Sequence, residues 1–229
     1  MQFTFAPPTQ PSVATVGSDM RLPVRRIFCV GRNYADHVRE MGNDPKLEPP
    51  IFFSKPADAV VESGAVIAYP NNTTNLHHEV ELVIALGRGG ADIAESAAPD
   101  HVWGYAVGVD LTRRDRQAEA KKAGTPWDIA KGFDHSAPVG ALTPKANAGD
   151  VANARIWLSV NGTTKQDATT GDMIWSVPEM IAALSRWWEL MPGDLIFTGS
   201  PSGVTALSRG DRIACGVEGL APLEFSIAP

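Results

Sequence analysis

The chain has 229 residues, of which 44% are hydrophobic and 20% charged, a composition typical of a globular protein with one substantial core. Its formal charge of -6 argues against a nucleic-acid partner, because a surface that binds phosphates needs a clustered basic excess. The sequence has neither a basic-then-apolar leader nor an apolar stretch of about 18 residues, so we expect a cytoplasmic protein without a membrane partner. Cys29 and Cys215 lie in separate apolar runs, which indicates buried free thiols.

Alternating hydrophobic residues, punctuated by 21 glycines and 18 prolines, predict many short strands and a few helices, which is a β-rich α+β fold. Residues 1–23 are rich in Pro and Thr and are interpreted as an N-terminal extension of one domain over residues 24–229. The first elements predicted in that domain are a strand over residues 27–31 and a short helix over residues 33–41. Gly42 is suited to end this helix.

The middle of the chain predicts a strand that is followed directly by a charged helix. Residues 102–111 alternate as a strand, and residues 112–123 are expected to form the helix. Thr112 and Asp115 have the spacing of a capping pair, and Gly124 is expected to stop the helix.

The last third of the chain predicts a hairpin, a helix and two strands. A strand over residues 155–160 runs into the Asn-Gly dipeptide 161–162, which suits the positive φ angles of a tight turn. A capping box over residues 176–179 starts the best-defined helix, which is expected to continue to the Pro-Gly pair 192–193. A strand over residues 195–198 follows. The alternating apolar residues of the final predicted strand are Leu223, Phe225 and Ile227.

The clearest chemical signal is the run over residues 77–84, which begins with the letters HHEVE. In a strand, Glu79 and Glu81 share one face and project side by side, roughly 6.6 Å apart. Oxygen donors without thiolates favour Mg²⁺, Mn²⁺ or Ca²⁺ over a structural zinc site. Asp110, near the end of its predicted strand, is a candidate third ligand.

Two other interpretations of this run stay open. Glu79 and Glu81 could form the solvated face of an ordinary half-buried strand. His77 and His78 could bind zinc, although neighbouring strand residues point to opposite faces and cannot easily reach one metal ion.

A second constellation lies on the predicted helix over residues 33–41. His37 and Glu40 are three residues apart and therefore share one helical face. A carboxylate bonded to an imidazole raises its basicity, as a base that activates water requires. An exposed His-Glu pair on a surface helix is the alternative.

Four segments resemble, in matching order, the fumarylacetoacetate hydrolase family: residues 29–37, 77–82, 110–115 and 198–204. The resemblance covers roughly residues 24–229. It implies that this domain is catalytic and is a mixed β-sandwich roll with a few short helices. It also implies a homodimer that holds one Mg²⁺ or Mn²⁺ ion in each chain.

The resemblance is strongest to the fumarylpyruvate hydrolases and acylpyruvases of aromatic-acid catabolism, in residues 5–8 and 22–26. It implies hydrolysis of a carbon-carbon bond in an acylpyruvate, with fumarylpyruvate cleaved to fumarate and pyruvate. Oxaloacetate decarboxylation or isomerisation of a keto-diacid on the same site stays an alternative. A non-catalytic protein that binds a metal or a small acid is an alternative of another class.

The matched positions imply a role for each site residue. The implied metal ligands are Glu79, Glu81 and Asp110. The implied catalytic residues are His37, Glu40 and Lys131. The implied substrate contacts are Arg32, Lys55, Arg114, Gln117 and Thr198. One departure from the family pattern is Ser200, where many relatives carry a threonine, and this change keeps the hydroxyl.

The resemblance also implies a mechanism in which the metal ion is a Lewis acid at the pyruvoyl end of the substrate. His37, oriented by Glu40, would deprotonate the attacking water, and Lys131 or a backbone amide would stabilise the oxyanion. Fumarylpyruvate carries a second carboxylate that a specific enzyme is expected to hold with a cation. The candidates for that cation are Arg32, Arg113 and Arg116.

Overall fold

The computed structural model describes residues 2–34 and 49–229, and these residues are built mainly of short strands. Eighteen strands occur in the described residues and are numbered in chain order. They are β1 (Ser12–Thr15), β2 (Ser18–Pro23), β3 (Arg26–Gly31), β4 (Ile51–Lys55), β5 (Val60–Val61), β6 (Ala65–Ile67), β7 (Leu76–His77), β8 (Val80–Leu86), β9 (Val102–Val109), β10 (Thr112–Arg113), β11 (Ala137–Pro138), β12 (Thr143–Pro144), β13 (Arg155–Val160), β14 (Thr163–Thr169), β15 (Asp194–Phe197), β16 (Ala206–Leu207), β17 (Arg212–Val217) and β18 (Leu223–Ile227).

Helices are few and short in the same residues. The α-helices are α1 (Arg114–Ala123), α2 (Asp128–Lys131) and α3 (Val177–Ser185). Short stretches of 3-10 helix cover Ala57–Ala59, Glu95–His101, Lys145–Asn147 and Thr170–Asp172. This balance of elements confirms the predicted β-rich α+β fold. In the part of the chain that the structure describes, no helix has the length and apolar character needed to cross a membrane.

Two larger sheets form the body of the protein. The first has the strand order β12-β9-β8-β15-β3-β4, in which β15 and β3 run parallel and the other neighbours run antiparallel. The second has the order β14-β13-β17-β18-β6. Side chains of both sheets, including Leu82 and Val107 from the first and Leu158 and Phe225 from the second, belong to one buried core. The two sheets therefore pack face to face, as a β-sandwich requires.

Strand β8 lies in the middle of the first sheet and is buried along its whole length. Leu82 and Ile84 face the core that the two sheets share, whereas Val83 and Ala85 face a second apolar cluster with residues of β3, β9 and β15. Because strand side chains alternate, Glu81 projects on the same side as Val83 and Ala85. The strand therefore delivers a carboxylate to the end of an otherwise apolar face.

The first two strands form an antiparallel hairpin that packs against the body. Val13 of this hairpin is buried, and Leu142 exchanges backbone hydrogen bonds with Ala14 and Val16 at 2.8 and 2.9 Å. The division between an extension over residues 1–23 and a domain over residues 24–229 stays a prediction.

Several local predictions are confirmed. Asn161 and Gly162 form the turn between β13 and β14 with φ angles of 51° and 78°. Ser176 and Glu179 make both hydrogen bonds of the capping box that starts α3. Gly124 ends α1 in the left-handed conformation with a φ of 67°.

The predicted start of α1 and its capping pair are wrong. The helix begins at Arg114, and Thr112 belongs to strand β10. The hydroxyl of Thr112 donates to the carbonyl of Asp110, while Asp115 accepts hydrogen bonds from the Thr73 hydroxyl and the Thr74 amide. A local partner of Thr112 and tertiary partners of Asp115 therefore take both side chains away from the helix terminus.

The predicted C-terminal end of α3 is also wrong, because the helix stops at Ser185. The apolar spacing continues to Trp188, but this side chain packs against Phe28 and Phe52 of the first sheet, with ring centroids 5.1 and 6.2 Å apart. The predicted helix over residues 33–41 lies almost wholly outside the described residues.

The predicted continuous strand over residues 77–84 is interrupted between β7 and β8. At the break, the side-chain oxygen of Gln166 accepts a hydrogen bond from the Val80 amide at 3.1 Å and lies 2.9 Å from Nδ1 of the buried His78. The amide nitrogen of Gln166 donates to the Ser200 hydroxyl and the Pro201 carbonyl at 2.8 and 2.9 Å. Gln166 therefore ties the start of β8 to the loop that follows β15.

We expect Gln166→Leu to lower the free energy of unfolding by about 3 kcal/mol, because each buried polar group that it leaves without a partner costs about 1–3 kcal/mol. Chemical denaturation followed by circular dichroism measures this change. The control is Lys165→Leu at the exposed neighbouring position, which should shift the same free energy by less than about 0.5 kcal/mol. A Gln166→Leu protein as stable as the parent would show that the network is dispensable.

Candidate active site

A cavity of about 660 Å³ is lined by Glu79, Glu81 and Asp110, by helix α1 and by the loop after β15. One wall comes from helix α1, whose residues Arg114, Gln117 and Lys121 follow one another at spacings of three and four and so share a helical face. Another wall is the loop over residues 199–204. This cavity contains the residues to which the sequence assigns chemistry.

Three carboxylates converge at the cavity. Glu79, Glu81 and Asp110 each offer an oxygen, and these oxygens lie within 4.8 Å of one another. The antiparallel register of β8 and β9 pairs Val80 with Val109, and the Asp110 amide donates to the Glu79 carbonyl at 2.8 Å. Glu81 and Asp110 are only 2% and 0% exposed, which excludes a solvated strand face at these positions.

Cationic side chains surround the three carboxylates. The Lys131 ammonium lies 2.7 Å from Glu79 Oε2 and 2.5 Å from Asp110 Oδ2, and it donates to the Thr112 hydroxyl at 2.7 Å. The Lys55 ammonium lies 2.8 Å from the other oxygen of Asp110. Arg114 forms an ion pair with Glu79. The acidic cluster is thus partly neutralised by the protein itself.

The three carboxylates are not neutralised equally. Burial raises the pKa of Glu79, but Lys131 and Arg114 outweigh that effect and lower the pKa to about 2. Burial raises the pKa of Glu81 well above its usual value, and the neighbouring Asp110 and Glu79 raise it further. The Gly199 amide donates to Glu81 at 2.7 Å and offsets only part of this. Glu81 is therefore the carboxylate that most needs a further positive charge to ionise.

Lys131 is held as a cation. Burial alone lowers its pKa, but Asp110 and Glu79 outweigh burial and raise the pKa above the ordinary lysine value. The side chain is 2% exposed, so its ammonium group is fixed at the cavity by these partners. Its three N–H donors are taken up by Glu79, Asp110 and Thr112, so it acts on an anion as a fixed positive charge, and it cannot serve as a base near neutral pH.

The acidic cluster fits a divalent cation. Its donors are carboxylate oxygens, which suit Mg²⁺ and Mn²⁺, and the carboxylate that is least neutralised by the protein lies within it. The two histidines have different surroundings: His77 lines the cavity, whereas His78 contacts Gln166 and Thr205. The zinc interpretation therefore has no support from their placement.

The predicted substrate contacts fall into two groups. Arg32, Arg114 and Gln117 line the cavity. Lys55 and Thr198 lie behind its wall, where the Lys55 ammonium also donates to the Leu111 carbonyl at 3.1 Å and the Thr198 hydroxyl donates to the Leu82 carbonyl at 3.0 Å. Contact of Lys55 and Thr198 with substrate stays a prediction. His37 and Glu40 lie outside the described residues.

Two of the three candidates for a distal cation lie away from the cavity. Arg113 donates to the Ile129 carbonyl at 3.0 Å and stacks over Phe133. Arg116 forms ion pairs with Asp115 and Glu119. Arg113 belongs to β10, outside helix α1. Arg116 lies two residues after Arg114 on the helix, so the placement of Arg114 in the cavity directs Arg116 elsewhere.

Sequence reasoning overlooks several residues that line the cavity, among them Lys121, Trp127 and Tyr34. Lys121 and Trp127 contribute to its wall, and Tyr34 contributes a buried hydroxyl with no hydrogen-bond partner among residues 2–34 and 49–229. The spacing from Arg114 through Gln117 to Lys121 contains the signal for Lys121. Trp127 and Tyr34 carry no such local pattern.

The family model described as fumarylacetoacetate (FAA) hydrolase C-terminal matches residues 26–228. The chain is an enzyme of the fumarylacetoacetate hydrolase family, and its acidic cluster, suited to a divalent metal, lies within the matched residues.

Two crystal structures of relatives are similar over the full chain. Fumarylpyruvate hydrolase from Pseudomonas aeruginosa in complex with Mn²⁺ and pyruvate is 50% identical with a TM-score of 0.95, and 99% of each chain is covered. A putative fumarylpyruvate hydrolase from Burkholderia cenocepacia is 54% identical with a TM-score of 0.93, covering 100% of this chain and 95% of that chain. The mitochondrial oxaloacetate tautomerase FAHD1 of Rattus norvegicus is 45% identical over 203 residues, which are 89% of this chain and 91% of the relative.

We expect Glu81→Gln to weaken Mn²⁺ binding by at least about tenfold, because one anionic oxygen donor is lost from the cluster. Isothermal titration calorimetry on chelator-treated protein measures the dissociation constant. The matched control is Glu95→Gln, which removes an exposed carboxylate outside the cavity and should leave the constant unchanged. Equal Mn²⁺ affinity of the Glu81→Gln and parent proteins would remove Glu81 from the ligand set.

Proposed function

We propose that this protein is a divalent-metal-dependent hydrolase of acylpyruvates and that it cleaves fumarylpyruvate to fumarate and pyruvate. The observation that carries the proposal is one cavity in which three convergent carboxylates lie beside a wall of cationic side chains. The likeness to fumarylpyruvate hydrolase from Pseudomonas aeruginosa supports the same reaction and a Mn²⁺ ion. The carboxylate donors of the cluster suit Mg²⁺ as well.

The charges of the site favour an anionic substrate. When Glu79, Glu81 and Asp110 are all ionised, the cations Lys55, Lys131 and Arg114 balance them. A divalent cation held by the three carboxylates then leaves the site with two net positive charges. A 2-oxo acid brings a carboxylate and develops negative charge on its oxo oxygen during cleavage, so it matches that excess.

The chain's own residues supply the remaining steps of the proposed hydrolysis. When bound, the divalent cation supplies Lewis acidity that stabilises negative charge on the pyruvoyl end. His37, oriented by Glu40, removes a proton from the water that adds to the distal carbonyl. The bond from that carbonyl to the methylene carbon then breaks, and the electron pair stays on the pyruvyl fragment. Protonation of its methylene carbon yields pyruvate.

Lys131 is proposed to stabilise the oxyanion in this reaction. Its ammonium group is a permanent cation at the cavity, already aligned by Glu79 and Asp110. A positive charge fixed before the reaction needs little reorganisation when negative charge develops. Gln117 is aligned by the guanidinium of Arg114 at 2.6 Å and is proposed to orient the substrate from the α1 wall.

Oxaloacetate is the substrate of the second candidate function, tautomerisation or decarboxylation. The observation that favours it is the 45% identity with the oxaloacetate tautomerase of Rattus norvegicus. Both reactions stabilise negative charge on a 2-oxo acid, so the acidic cluster suits either one. Hydrolysis differs because it also needs an activated water, and His37 with Glu40 is the pair proposed for that role.

The two functions are separated by steady-state kinetics on fumarylpyruvate, acetylpyruvate and oxaloacetate, with product identification. We expect fumarylpyruvate to give the highest kcat/KM, at least about tenfold above acetylpyruvate, which corresponds to about 1.4 kcal/mol of transition-state binding. Exhaustive chelation should abolish the activity, and Mn²⁺ or Mg²⁺ should restore it. Oxaloacetate as the best substrate would establish the second candidate, and full activity after chelation would refute metal dependence.

The proposed base gives a further test. We expect His37→Asn to lower kcat for fumarylpyruvate by about 10²-fold or more without changing the Mn²⁺ dissociation constant, because a general base is lost while the metal ligands remain. The control is His135→Asn, an exposed histidine outside the cavity whose left-handed backbone an asparagine also tolerates. Near-normal turnover of His37→Asn would assign water activation to another group.

A further inference from the structure

Helix α1 presents two cations to the cavity that have different surroundings. Arg114, in its first turn, is engaged with Glu79 and Gln117. Lys121 lies seven residues further along the same face, about 10 Å along the helix axis at 1.5 Å per residue. Arg114 is therefore bound to the acidic cluster, whereas Lys121 is a cation at the other end of the same wall, away from that cluster.

A second cation, Arg32, lines the same cavity. Within residues 2–34 and 49–229, no carboxylate forms an ion pair with Lys121 or Arg32. Partial burial lowers the pKa of Lys121, and the positive charges of Arg32 and Arg114 lower it further. Glu79 acts in the opposite direction on Lys121 from across the cavity, and among residues 2–34 and 49–229 the two side chains form a positive patch without an ion-paired carboxylate, which an anion would stabilise.

The backbone and an aromatic ring fix this patch. Arg32 has a φ of 58°, a left-handed conformation that a residue with a long side chain adopts only when the surrounding structure imposes it. The Lys121 ammonium lies 5.3 Å from the ring centroid of Trp127. That ring packs against Phe53, with centroids 5.8 Å apart, and also lines the cavity. A flat apolar surface therefore adjoins the cationic patch.

We propose that Lys121, with Arg32 and Trp127, binds the second carboxylate of a 2-oxo diacid whose 2-oxo acid end lies at the acidic cluster. The ring of Trp127 suits the planar unsaturated chain between the two ends. This inference rests on the proposed function for its choice of substrate class. It replaces Arg113 and Arg116 by Lys121 as the distal cation beside Arg32.

Binding measurements test the subsite without any turnover. Isothermal titration calorimetry of the Mn²⁺-loaded protein compares 2-oxoheptanedioate, a seven-carbon diacid like fumarylpyruvate, with 2-oxoheptanoate, which lacks the second carboxylate. We expect the parent to bind the diacid at least about tenfold more tightly. Lys121→Met should remove most of this preference, whereas Lys121→Arg should keep it. The control Lys122→Met removes an exposed lysine that does not line the cavity and should also keep the preference.

Two outcomes overturn the subsite: a parent that does not prefer the diacid, and a preference that Lys121→Met retains. Kinetics on the same variants keep the subsite and the hydrolase proposal distinguishable. If the diacid preference depends on Lys121 but fumarylpyruvate is not hydrolysed, the subsite stands and the hydrolase proposal fails. If fumarylpyruvate is hydrolysed but Lys121→Met lowers kcat/KM equally for fumarylpyruvate and acetylpyruvate, the hydrolase proposal stands and the subsite fails.

Discussion

The structure of the site depends on holding three carboxylates together inside the protein, where burial and mutual repulsion both oppose their ionisation. Lys131 and Arg114 compensate Glu79 strongly, and Lys131 also compensates Asp110. Glu81 has no such ion pair among the described residues and has a raised pKa. The cluster therefore lacks positive charge near Glu81, and a divalent cation would supply it.

The acidic cluster is predictable from sequence because its geometry is local. Strand alternation predicts that Glu79 and Glu81 project to one side, and they do converge although Glu79 lies in the break before β8. Asp110 follows from its position at the end of the neighbouring predicted strand. Alternation cannot tell whether the face that carries Glu81 is solvated or covered. That depends on β3 and β15, which are distant in the sequence and close the second apolar cluster. The convergence of the three carboxylates is therefore predictable, and their burial is not.

The remaining surprises have long-range causes. Gln166 and His78 are 88 residues apart, and nothing near either of them indicates that a hydrogen bond will interrupt the strand between β7 and β8. Beyond the end of α3, the Trp188 ring contacts Phe28 and Phe52, which belong to strands distant in the sequence. In both cases the local pattern does not contain the tertiary contact that accompanies the change of structure.

The acidic cluster alone cannot select one reaction, since every 2-oxo acid presents the same chemical group to it. Selectivity then depends on the far end of the cavity, where Lys121 and Arg32 are exposed to solvent. A single exposed ion pair contributes only about 0.2–1 kcal/mol, which is less than the roughly 1.4 kcal/mol that tenfold discrimination requires. Two cations acting on one carboxylate beside the ring of Trp127 can exceed this limit, because the apolar wall lowers the effective dielectric constant around the charges. Discrimination between a diacid and a monoacid therefore depends on excluding water from this end of the cavity as much as on the presence of positive charge.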